Sequence, residues 1–252
     1  MKRNTSSTKS NYLLIMAGIA VGMLTAPAAF AQNQNNQDSQ NPFVTSPQSA
    51  AYGNTYGGWA TLWWQHMTSL TGDPTANCGA NQSGPVWFLA ESPFGGTQNL
   101  HCTVPAGKAI FLPIINVECS TQEQPLFPST GVPNGNFGCT DEENCRRCAT
   151  TYGDHIRTGP GYLNASVDGV PVTNLTAYRT ATPSYTFTAA NNNLFINPTQ
   201  GNGGRGTSVS DGYWLLVRPL VPGTHTIQVH GAFDSTVGNF TENVLYTITV
   251  TP

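Results

Sequence analysis

The stretch Tyr213-Trp-Leu-Leu-Val-Arg-Pro-Leu-Val-Pro-Gly-Thr-His-Thr-Ile-Gln-Val-His230 holds two runs of different patterning. Every position of Tyr213–Val217 is apolar, so a strand here is covered on both faces, as at the centre of a sandwich or beneath a docked helix. Leu220-Val-Pro-Gly-Thr224 is turn chemistry with Pro-Gly at its tip. From His225 to Phe233, Ile227 and Val229 alternate with Thr226 and Gln228, the period of a strand with one wet face.

The same grammar continues outward. Ala109-Ile-Phe-Leu-Pro-Ile-Ile115 is apolar on both faces, and Val244–Val250 alternates between Tyr246, Ile248, Val250 and the threonines between them. Val86–Leu89 and Ser184–Ala189 are further strands, and Tyr162–Val167, Asp168-Gly169, Val170–Val172 reads as a hairpin. About nine strands bounded by turn residues make a mainly β chain, an antiparallel β-sandwich or jelly roll. Two helices are expected with it. Over Thr55–Leu70 a stripe of Trp59, Leu62, Trp63, His66, Met67 and Leu70 faces the sheet, while Trp64, about 100° from Trp63 on the helical wheel, faces outward. Thr140-Asp-Glu-Glu143 forms a capping box that starts a short, cysteine-bearing helix from Asp141 to Ile156.

Of the 252 residues, 38% are hydrophobic and only 9% charged, which excludes a charge-rich disordered chain and a coiled coil. Lys2, Arg3 and Lys9, the apolar run Leu13–Leu24 and Ala29-Phe-Ala31 have the layout of a signal peptide over residues 1–31, shorter than the ~20 apolar residues that span a bilayer. The Asn/Gln-rich residues from 32 on form a polar leader to residue 50, and residues 51–252 form one β-sandwich domain. The expected product is exported, periplasmic or extracellular, and does not span a membrane. Without residues 1–31, seven basic residues face thirteen acidic ones, a net charge of −6 that disfavours nucleic acid and anionic lipid as partners.

Six cysteines in an exported chain predict three disulfides. Six cysteines allow fifteen pairings; the loop between Cys78 and Cys102 favours that pair, while the four crowded into residues 119–148 leave the rest open, with Cys119–Cys148 and Cys139–Cys145 as the expected set. Cys145-Arg-Arg-Cys148 lacks the strand-fed setting of a redox dithiol, and no Cys or His pattern has metal-ligand spacing, so neither cofactor nor metal is expected.

The runs Gly84-Pro-Val-Trp-Phe-Leu-Ala90, Cys102-Thr-Val-Pro-Ala-Gly-Lys-Ala-Ile-Phe-Leu-Pro-Ile-Ile-Asn116 and Val209-Ser-Asp-Gly-Tyr-Trp-Leu-Leu-Val217 resemble a group of uncharacterised bacterial exported proteins. The resemblance covers most of the chain after the signal peptide. It implies export and carries no activity or site.

Among the acids Glu118 stands out, ending a strand Lys108–Val117 and sharing the face of Ile110, Leu112, Ile114 and Asn116, where burial would raise its pKa. Asp211, His101 and His225 are its candidate catalytic partners. Trp64 and Tyr56 offer rings on which a sugar can stack. Three functions follow in order: a binding module for a glycan or cell-envelope component through Trp64 and Tyr56; a secreted hydrolase using Glu118 with Asp211 or a histidine; a structural or matrix protein without a small-molecule site. Convergence of Glu118, His101, Asp211 and His225 on one cleft would favour the hydrolase.

Overall fold

The computed structural model describes residues 41–128, 135–196 and 203–252. The expected signal peptide and residues 32–40 of the expected leader lie outside them.

Ten strands form two five-stranded sheets. The first contains β1 (Val86–Phe88), β3 (Ala109–Ser120), β8 (Gly204–Val217), β6 (Arg179–Ala181) and β7 (Tyr185–Ala189), with β6 and β7 both paired to β8. The second runs β2 (Gly96–Pro105), β10 (Thr241–Thr251), β9 (Gly223–Ala232), β4 (Asn164–Val167), β5 (Val170–Pro171). Pairing is antiparallel except for β1 with β3 and β2 with β10, so each sheet of the sandwich is mixed at one edge. The Pro-Gly connection after β8 carries the chain from the first sheet to the second. Between β4 and β5, Asp168 and Gly169 both adopt positive φ (51° and 75°), as a two-residue hairpin turn demands.

The doubly apolar strands are central. β3 and β8 pair from Ile110–Val217 to Ser120–Ser208, and Phe111, Leu112, Ile114, Trp214, Leu215 and Leu216 are fully buried. A bulge between Pro113 and Ile115 inserts one residue and reverses the alternation beyond it. Glu118 therefore does not share the face of Ile110 and Leu112. It lies on the Phe111 and Trp214 face with Asn116, opposite Ser210 and Gly212, while Val117 and Asp211 pair on the other face.

Helix α1 (Tyr56–Ser69), capped by the Thr55 hydroxyl accepting from Gly58 N, docks on that Phe111 face through Trp63 against Trp214, ring centroids 5.5 Å apart. Its buried stripe is Tyr56, Gly57, Trp59, Ala60, Trp63, Trp64, Met67 and Thr68, rotated roughly 80° from the expected one. Leu62 is exposed (38%), and Trp64, expected outside, is buried (5%). The cause is Gly57. A Cβ there would stand 3.1 Å from the Ala181 carbonyl, so the small residues Gly57 and Ala60 mark the side that comes closest to the sheet. Counting large apolar residues missed it.

Helix α2 (Glu142–Asp154) is capped one residue later than the capping box suggested: the Asp141 carboxylate accepts from Asn144 N. The cysteines pair as Cys78–Cys102, Cys119–Cys148 and Cys139–Cys145, and the last two tie α2 to β3 and to the segment before it. Residues 41–50, expected to belong to a leader, contact the sandwich. From Asn41 the chain is packed, with Val44 bridged to Val217, Thr45 N donating to Leu216 O and Asn41 Nδ2 to Val170 O.

Candidate functional site

β1 pairs only with Ala109–Phe111, so beyond the bulge β3 has β8 on one side and an unpaired edge on the other until Gly138 bridges it at Ser120. A cleft of about 160 Å³ lies along that edge. The chain leaving β1 supplies Glu91, Ser92 and Pro93, β3 supplies Asn116 and Glu118, and the turn after it Glu123; Glu242 comes from the start of β10. Aromatic walls come from Trp64 and Phe195, Phe137 and Tyr152, and Phe233 and Phe240.

Four of the chain's thirteen acids thus line one apolar cleft, in two pairs. In the first, Asn116 Nδ2 donates to Glu91 Oε1 at 2.6 Å and Gln98 Nε2 to Glu242 Oε1 at 3.2 Å. Glu91 Oε2 and Asn116 Oδ1 have no hydrogen-bond partner among the described residues. In the second, the Glu118 and Glu123 carboxyls hydrogen-bond each other. Ser208 Oγ donates to Glu118, and Ser120 N and Oγ both donate to Glu123 Oε2 at 3.2 Å. Gly212 makes room for this arrangement: a Cβ there would sit 2.4 Å from the Asn116 Cβ, so Asn116 lies against bare backbone.

Burial disfavours the charged form of each acid, and hydrogen bonds from neighbours offset this only partly. Burial pushes Glu118 up to about 7 against the bonds from Glu123, Ser208 and Ser120. It pushes Glu242 up to about 8 against the Gln98 bond. Glu91 is raised by burial and then by the charge of Glu242, and Glu123 by burial and then by the charge of Glu118. Each pair therefore keeps a proton near neutrality.

The consequence for stability has a definite sign. A glutamate in the unfolded chain loses its proton near its ordinary value of 4.5, whereas the folded chain holds those of Glu118 and Glu242 up to about 7 and 8. Between these values the folded state binds more protons, so stability should fall as pH rises through that window. Urea midpoints measured from pH 4.5 to 8 should drop steadily, and Glu242→Gln should flatten the slope. A midpoint that is constant or rises over this range contradicts the protonation state described.

The other sequence candidates lie elsewhere. Asp211, adjacent to Glu118's partner Ser210, points to the opposite face and is clamped by Arg179, Nη2 to Oδ2 at 2.7 Å and Nε to Oδ1 at 3.1 Å. His225 is held at the sheet rim between Asp168 Oδ2 (2.7 Å) and Val221 O (2.9 Å). His101 is exposed on β2 opposite Thr247. Of the four, only Glu118 lines the cleft.

The expected stacking rings part as well. Tyr56 is buried (1%), its hydroxyl donating to Thr45 O and accepting from Leu216 N, so it is a core strut and offers no face to a ligand. Trp64 packs edge-on to Trp63 and Phe195 at 5.0 and 5.3 Å and still borders the cleft. Glu91, Glu123 and Glu242 were not singled out in the sequence. Only Glu242 left a signal, an acid in register with the inward row Val244, Tyr246, Ile248 and Val250.

No helix among the described residues is long and apolar enough to cross a membrane, and none of their His, Cys, Asp and Glu side chains gather in threes to hold a metal ion.

No protein-family model matches the chain, and no curated protein matches its sequence. Three solved structures are distantly similar. A cysteine protease inhibitor from Entamoeba histolytica shares 11% identity over 66% of this chain and 96% of its own, with a TM-score of 0.23. PbICP-C, solved in complex with falcipain-2, shares 11% over 67% and 100%, with 0.20. Amebosin shares 10% over 62% and 100%, with 0.16. At these scores the likeness carries no functional argument. The three disulfides fit an oxidising, exported environment.

Proposed function

We propose that the chain is an exported binding module, periplasmic or extracellular, whose cleft takes a neutral sugar unit of a glycan or cell-envelope component. One observation carries this: carboxyl groups that hold protons near neutrality meet aromatic rings in a single cleft. A protonated carboxyl both donates and accepts, as a sugar hydroxyl requires, while Trp64 and Phe195 offer apolar surface to the C–H face of the ring. An anionic ligand would meet the remaining negative charge of the acid pairs, which favours a neutral one.

The test is binding of chito-, xylo- and β-gluco-oligosaccharides by titration calorimetry, with the wild type and Ser92→Trp. Ser92 lines the cleft and is partly exposed, so an indole there fills the cleft without entering the core. Binding of at least one series by the wild type, and its loss in a Ser92→Trp protein with unchanged near-UV circular dichroism, is the expected result. Binding of none of the three, or equal binding by Ser92→Trp, overturns the proposal.

A further inference from the structure

We propose that the cleft also hydrolyses the glycosidic bond of the sugar it binds, Glu91 acting as general acid and Glu118, within its pair with Glu123, as general base. This rests on the glycan reading above and adds a reaction to it.

The geometry points to two separated roles. Asn116 and Glu118 are two residues apart on one face of β3, roughly 6.6 Å along the strand. Asn116 Nδ2 lies 2.6 Å from Glu91 Oε1, which places Glu91 at the Asn116 end of the cleft, whereas the Glu118 carboxyl is held by Ser208 and by Glu123, groups at the Ser120 end of β3. Carboxyl groups roughly 6.5–9.5 Å apart leave room for a water beside the sugar, the spacing of inverting glycoside hydrolysis.

An independent observation marks which acid donates. Glu91 is 94% buried by its 6% exposure, lines the cleft, uses Oε1 for Asn116 and leaves Oε2 without a partner. A proton on Oε2 has no acceptor among the described residues and is available to a ligand oxygen. Burial, and then the charge of Glu242 whenever that group ionises, keeps this proton in place. Glu118 and Glu123 share a hydrogen bond and together keep one proton, which leaves one carboxylate to act as base. Ser208 and Ser120 are positioning residues, fixing Glu118 and Glu123 respectively.

In the step, a water oxygen attacks the anomeric carbon and passes a proton to Glu118. The bond from that carbon to the bridging oxygen breaks, and the oxygen keeps the electron pair and takes the proton of Glu91. The products are a hemiacetal of inverted configuration and a free alcohol; Glu118 returns its proton to solvent and Glu91 is reprotonated from it. No further reactant is needed.

The experiment follows the oligosaccharide that the full chain binds among the chito-, xylo- and β-gluco-series, by release of reducing ends and by proton NMR of the first anomer formed. Expected are steady release with inversion, and a loss of ~10²–10⁴-fold in Glu91→Gln and in Glu118→Gln with affinity retained, the usual worth of general acid and base catalysis. If either glutamine variant fails to fold by near-UV circular dichroism, Glu118→Asp keeps the charge, withdraws the carboxyl by one methylene and should still slow release at least tenfold. An oligosaccharide that binds and stays intact overturns the hydrolysis and leaves the binding reading standing, as does cleavage at the wild-type rate in the folded variants. Absence of binding overturns both.

Discussion

Trp63→Ala should lower the free energy of unfolding by about 3–5 kcal/mol, the cost of deleting a fully buried indole whose site cannot collapse. Trp63 has no exposed surface and meets the rings of Trp64, Phe195 and Trp214 edge-on at 5.0, 5.8 and 5.5 Å. Its Nε1 donates to Leu89 O at 2.8 Å, so truncation also strands a carbonyl at the point where β1 turns toward Glu91. Trp64→Ala, expected near neutral if that ring faced solvent, should now cost about 3 kcal/mol, because the ring is buried against two others. Urea denaturation of both variants checks this. A loss below about 1 kcal/mol for Trp64→Ala would return that ring to the surface.

Asp211→Ala should be of similar size, about 3–5 kcal/mol, for a different reason. Its carboxylate is buried (3%) and receives both arms of the Arg179 fork, while Arg179 Nη2 also contacts Asp154 Oδ1 at 2.8 Å. Removing the acid leaves a guanidinium held against the sheet with only the exposed Asp154 as counter-charge. A double variant, Asp211→Ala with Arg179→Met, removes the stranded charge and should recover most of the loss. If the double variant is as unstable as the single one, the ion pair is not what anchors this corner. Glycan binding should be unchanged in the double variant, since neither residue lines the cleft.

The strands were legible because their residues repeat at the period of a pleated chain, and the two uninterrupted apolar runs did become β3 and β8 at the centre of one sheet. That six cysteines form three disulfides, and that Cys78 meets Cys102, was legible; the four cysteines within residues 119–148 are too crowded for spacing to choose among their pairings, which the docking of α2 decides. What misled was local geometry that has no large side chain to announce it. The bulge after Pro113 turned Glu118 to the other face, and Gly57 turned α1 so that Trp64 went inside. The candidate site was half legible. An acid at the end of an apolar strand drew attention to Glu118, yet its partners come from a loop after β1, a turn after β3 and the start of β10, segments that only the sandwich brings together. Alternation explains why Asp211, only one position along β8 from Ser210 opposite Glu118, is excluded.

Both proposals stand on the cleft acids keeping protons at neutral pH. Carbon-13 NMR of the glutamate side-chain carboxyl carbons, followed from pH 4 to 9 and assigned with Glu118→Gln and Glu242→Gln, reads this directly. Glu118 should titrate at about 7 and Glu242 at about 8, with the resonances of their pair partners moving in the same steps because the protons are shared. Titration of all four near the ordinary value of 4.5 would show the cleft to be fully ionised in the folded chain, and would contradict the account.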